Sequence, residues 1–136
     1  MQPGCYGTLL RALLPGPVAR RERAVFAMTS ARSPDAAVLA LWVGYARSQP
    51  VSATNVLRQL VAAARFRAPE QLTVPALVLA SRGDRLVSPE CSRALARAWS
   101  LPLREHPDAG HDLSLDDPGW LLVQIARWWP EHFARP

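Results

Sequence analysis

The chain has 136 residues, enough for one modest domain, and 49% of them are apolar, which excludes intrinsic disorder by composition. No stretch approaches the ~18 apolar residues of a membrane span, and two cysteines, Cys5 and Cys91, do not make a disulfide scaffold, so a cytoplasmic location is the expectation. The net charge of +5 is unevenly spread, with nine Arg against Glu22 and Asp35 in residues 1–68 and seven Arg against nine acids in residues 69–136.

At the start, Met1 to Gly4 lack a basic region followed by an apolar core, so no secretory signal is expected. Pro3-Gly4-Cys5-Tyr6-Gly7 imitates a small-x-nucleophile-x-Gly elbow. A working elbow needs a strand leading into a strained turn, and only four residues precede Cys5. Cys5 is therefore read as a loop cysteine. Thr8 to Leu14 predicts a short helix closed by Pro15-Gly16-Pro17, and Val18 to Thr29 a second one.

Ser33-Pro34-Asp35 is a cap-like start, and Val38, Leu41, Trp42 and Tyr45 recur at helical spacing as far as about Ser48. After Pro50, Ser52 caps a further helix with the stripe Ala53, Val56, Leu57, Leu60, Val61 and Ala64. These stripes predict core-packed faces. The Arg residues between them are dispersed, without an interleaved aromatic platform, and read as solvated helix faces. Phe66 to Thr73 is a linker.

The apolar run Ala76 to Ala80 predicts a short buried parallel strand. It breaks at Ser81-Arg82-Gly83-Asp84, a turn composition in which Asp84 suits an Asx turn. Ser88-Pro89-Glu90 then combines a hydroxyl N-cap, proline at N1 and an acid in the first turn. Cys91, Ala94, Leu95, Ala98 and Trp99 form the apolar face of that helix. A second strand over Leu101 to His106 leads into Pro107-Asp108-Ala109-Gly110-His111. Strand, helix and strand make a right-handed parallel unit, with Asp84 and His111 just past neighbouring carboxyl ends. Leu113 to Gly119 reads as a loop, Asp117 as an N-cap and Pro118 as N1. Leu121, Leu122, Ile125, Trp128 and Trp129 predict the apolar face of a last helix that Pro130 ends, with a frayed tail beyond.

Gly83-Asp84-Arg85-Leu86-Val87 after one strand, and Ala109-Gly110-His111-Asp112-Leu113 after the next, resemble the C-terminal end of the α/β-hydrolase fold. There the chain order is nucleophile, acid, histidine. The resemblance makes Asp84 the triad acid and His111 the triad base. It is strongest from Val74 to Trp129, and it extends more weakly over the helical region, which looks like the cap such enzymes insert before the acid-bearing strand. Trp42, Tyr45 or Phe66 would then line an acyl or aryl pocket above the site. The sequence contains no Gly-x-Ser-x-Gly and no Gly-rich oxyanion loop.

The expected fold class is α/β: a partial α/β-hydrolase fold, with a helical cap-like region (1–68) followed by a C-terminal β-α-β-α unit with parallel strands (69–136). The expected function is that of the C-terminal part of a serine-type hydrolase, cleaving an ester, thioester or amide in the complete enzyme and inactive alone. The alternative is a short non-catalytic binding module, its basic surface facing anionic partners. No cofactor or metal is expected. His106, Asp108, His111 and Asp112 cluster on paper but match no zinc signature, and Asp112 reads as a loop-fixing carboxylate. The expected partner is a small acyl substrate, with no membrane and no nucleic acid, and with self-association possible through exposed sheet edges.

Overall fold

The computed structural model describes Gly7 and residues 16–133. Cys5 and the helix expected over Thr8 to Leu14 lie outside the described residues. Three helices come first: α1 (Val18–Thr29), α2 (Ala36–Ser48) and α3 (Ala53–Arg65). A β-α-β-α unit follows: β1 (Val78–Ser81), α4 (Pro89–Ala98), β2 (Leu103–His106), the single turn α5 (Leu113–Asp116) and the long α6 (Pro118–Phe133).

Local chemistry sets most of these boundaries. The Asp35 carboxylate accepts from the Ala37 amide and starts α2, and the Ser52 hydroxyl accepts from Asn55 and starts α3. Ser88 caps α4 with Pro89 in its first turn. That helix closes with Leu101 N–H donating to Ala96 and Ser100 N–H to Arg97, and with Ser100 at φ 53°, a left-handed cap that a serine fills here. The strands pair in parallel, Val78 opposite Leu103 through Ser81 opposite His106. Both begin two residues later than the apolar pattern suggests. The first ladder bond runs from Val78 N–H to the carbonyl of Pro102, and the prolines at 75 and 102 have no N–H to donate.

Two expectations at the C-terminal end are corrected. Residues 113–116 form a helical turn rather than a loop, because the Asp112 carboxylate accepts from the Leu115 amide and caps it. Pro130 lies inside α6 and does not end it. The helix forgoes one backbone bond there. Its last turn is held by ring packing instead: Trp128 stacks on His132 at 4.6 Å and Trp129 on Phe133 at 4.4 Å.

The buried apolar core is small among the described residues: Phe26, Met28, Ala80, Ala96 and Ala109. Trp42 packs on Phe26 with ring centroids 5.3 Å apart, which joins α2 to α1. The core packing expected of the remaining stripes is not found. α3 buries no residue, Leu57 is 62% exposed, and Leu41 and Tyr45 of α2 are exposed as well. The amphipathic pattern showed faces that favour burial, but among the described residues they are at most half-buried.

Such a surface should associate. The purified chain is expected to bind a hydrophobic dye and to grow in apparent mass with concentration. Replacing Leu57 and Val61 together with Glu should weaken both effects without lowering helix content by circular dichroism.

Candidate active site

Parallel pairing brings the carboxyl ends of β1 and β2 to one rim, and the segments leaving that rim meet there. The contact is backbone against backbone. A Cβ built on Gly83 would sit 2.5 Å from the carbonyl oxygen of Ala109 and 2.8 Å from that of Asp108. Only glycine lets the acid loop lie this close to the histidine loop. The Ser81 hydroxyl donates to the Ala109 carbonyl and fastens the two loops together.

Asp84 follows this contact and uses its two oxygens differently. Oδ1 accepts from the amides of Leu86 and Val87 at 2.8 and 2.9 Å. Oδ2 faces Nδ1 of His111 at 2.8 Å. The Asx turn and the carboxylate–imidazole pair are thus two halves of one arrangement. The Asp84 side chain is 14% exposed and that of His111 42%. A carboxylate at Nδ1 favours the tautomer with its proton on Nδ1, which leaves the Nε2 lone pair to accept a proton.

His106 plays a different part. Its Nδ1 accepts from the amides of Asp108 and Ala109 at 3.1 and 2.8 Å, and its Nε2 faces Asp117 at 3.3 Å. Both ring nitrogens are occupied in folding the loop, so His106 does not converge with His111 on a common ligand. Trp120 packs edge-on against its ring. Asp112 fixes the loop by capping α5, as expected.

The sequence reading missed Asp116, whose side chain is 1% exposed. It accepts from the Ser30 hydroxyl, from Ala31 N–H at 2.8 Å and from Gly110 N–H at 2.6 Å. Burial works against its charge, but these donors and the Arg32 guanidinium outweigh burial and hold its pKa below the ordinary carboxylate value. Beside it, Asp117 accepts from the Trp120 amide and caps α6; that bond and His106 lower its pKa too.

Away from the rim, α1, α2 and the start of α3 line an open groove of about 580 Å³ with Trp42, Tyr45, Val25 and Val56 in its wall. Phe66 is not in that wall and is 72% exposed. Among the described residues no group of three or more metal-binding side chains comes together, and no helix is long and apolar enough to cross a membrane.

The family described as serine hydrolase matches residues 23–117, more than half of the chain and a span that contains both Asp84 and His111. This chain belongs to the serine hydrolase family. Among solved structures it is similar to an X-ray structure described as a putative aryl esterase from Burkholderia cenocepacia, at 24% identity and a TM-score of 0.56. That likeness covers 86% of this chain and 43% of the other, so this serine hydrolase chain spans less than half the length of its structural neighbour. It shows the shared fold, a partial hydrolase architecture of mixed helices and parallel strands. No curated protein matches the chain.

Two glycines should respond oppositely to alanine. Gly83→Ala should lower stability to denaturant by about 1–3 kcal/mol, since backbone blocks the new methyl group. Gly44→Ala, inside α2 with open space around it, should raise stability by about 0.5–1 kcal/mol. The lowered pKa of Asp116 also fixes a sign. Its contribution is complete above an unfolded-state pKa of about 3.9 and is lost as pH falls through the lower folded value. An acid titration followed by circular dichroism should show a shallower loss of stability below that point in Asp116→Asn than in the parent.

Proposed function

We propose that Asp84 and His111 are the acid and base of a serine hydrolase catalytic triad, and that the 136-residue chain contributes this half of the active site without the nucleophile. The observation that carries the reading is the 2.8 Å contact between Nδ1 of His111 and Oδ2 of Asp84 at the carboxyl rim of two parallel strands. In the complete site, Nε2 of His111 takes the proton of a serine hydroxyl as its oxygen bonds to the acyl carbon. The same proton passes to the leaving alcohol, and water repeats the cycle to release the acid and free the serine. Asp84 keeps the imidazole in the required tautomer and stabilises its charged form.

The substrate class we favour is a carboxylic ester. Support comes from the family and from the esterase description of the structural neighbour. In this reading residues 1–68 form the cap and residues 69–136 the end of the catalytic core. The chain acts in the cytoplasm.

The nucleophile and oxyanion donors lie outside these 136 residues, because the sequence has no Gly-x-Ser-x-Gly. An acid–base pair without a nucleophile adds little to the rate, since triad members act as a unit. A fluorophosphonate probe and a short aryl ester test this. The chain alone should be neither labelled nor active. Supplying a strand–elbow–helix segment, sought in the DNA upstream of Met1, should restore both, and His111→Ala or Asp84→Asn should then lower kcat by about a thousandfold or more. Labelling of the chain alone that His111→Ala abolishes would place a nucleophile within it. Restored activity indifferent to His111→Ala would remove the base.

A further inference from the structure

We propose that Asp116 is the positioning residue for His111, a buried carboxylate that clamps the histidine loop to the α1–α2 connection and so keeps the imidazole on Asp84. The inference rests on the reading of His111 as the base.

The His111 side chain is too exposed to be held by packing, so its aim is set by the backbone on either side. Both flanking residues are tied to residues 29–31, Asp112 directly and Gly110 through Asp116. Gly110 N–H donates to Asp116 Oδ2 at 2.6 Å, and Asp112 N–H donates to the Thr29 carbonyl at 2.8 Å. Asp116 Oδ2 also accepts from Ala31 N–H, and Oδ1 from the Ser30 hydroxyl, whose oxygen in turn accepts from Arg32 N–H at 3.0 Å. The fit between the two segments is tight. A Cβ on Gly110 would lie 2.6 Å from the Thr29 oxygen and 2.7 Å from the Ala31 nitrogen.

Three donors converge on Asp116: one hydroxyl and two amides. An ionised carboxylate is the side chain that only accepts. An asparagine can keep one oxygen on the two amides only by turning its NH₂ toward the Ser30 hydroxyl, which reverses that bond and removes the charge that strengthens the others. The rest of the loop has separate anchors, Ser81 on Ala109 and His106 on Asp108 and Ala109. Loss of the Asp116 clamp should therefore release His111 selectively and leave His106 in place.

Imidazole ¹H–¹⁵N correlation spectra of the full chain, at a pH where the rings are neutral, read each tautomer directly. In the parent, His111 should hold its proton on Nδ1 and His106 on Nε2. Asp84→Asn should abolish the Nδ1–H preference of His111. Asp116→Asn should reduce the Nδ1–H fraction of His111 by about twofold or more, with the His106 tautomer unchanged, and Ser30→Ala should reduce it by less. Loss in Asp84→Asn without loss in a folded Asp116→Asn overturns the positioning role alone. No loss in either variant removes the carboxylate–imidazole pair itself, and with it the proposed base. Should Asp116→Asn not fold, Ser30→Ala decides, and an undiminished His111 signal there overturns the clamp. A change in His106 as large as that in His111 would mean a general loosening rather than positioning.

Discussion

The site depends on one steric condition, that two chain segments leaving the same rim can touch without side chains between them. Gly83 meets it where the acid loop lies against the histidine loop, and Gly110 meets a like condition where the histidine loop lies against residues 29–31. Neither adopts a left-handed conformation, so each is needed for its missing Cβ and not for an unusual turn. Parallel pairing of four residues per strand then suffices to bring a carboxylate and an imidazole within 2.8 Å, although they lie 27 positions apart in sequence. The short strands set direction, and the glycines allow approach.

Most of the electrostatic work is done by acids that bond to backbone N–H groups. Asp84, Asp112, Asp116 and Asp117 each accept from main-chain amides. Such bonds fix a carboxylate's direction and favour its charged form together. Three of these acids fall within six residues, yet they do not act as a cluster: one caps α5, one is buried against the α1–α2 connection, and one caps α6 while facing His106. Like charges crowded together would repel. Here each is matched by its own donors, and the cost of gathering them is met locally.

How far the sequence revealed this follows from the range of each interaction. The caps at Ser52, Ser88 and Asp117 and the strand–helix–strand order were legible because their partners lie within a few residues. Asp84 and His111 were legible as a pair through the family pattern. Asp116 was not, because its Ser30 partner is 86 positions away and an acid before a helix cap looks like any solvated residue. The stripe on α3 showed an apolar face, and a periodicity carries no information on what covers it. Pro130 was misread for a related reason: its backbone cost is local and visible, whereas the ring packing that sustains the last turn depends on the helix already being formed.

The extent of the machinery that aims His111 bears on how the chain is divided. The groups that set its position run from Thr29, which receives the Asp112 amide, to Asp116, which receives the Gly110 amide. That interval, 29–116, falls inside the 23–117 span of the family match. The end of α1 therefore belongs to the foundation of the site and is not a detachable cover. A boundary drawn near residue 68 separates helices from strands, but the hydrogen bonds from residues 29–31 to residues 110–116 cross it. The division into cap and core thus describes secondary structure better than it describes mechanical coupling. Displacement of the helical region would be felt at the imidazole through two backbone amides, those of Gly110 and Asp112.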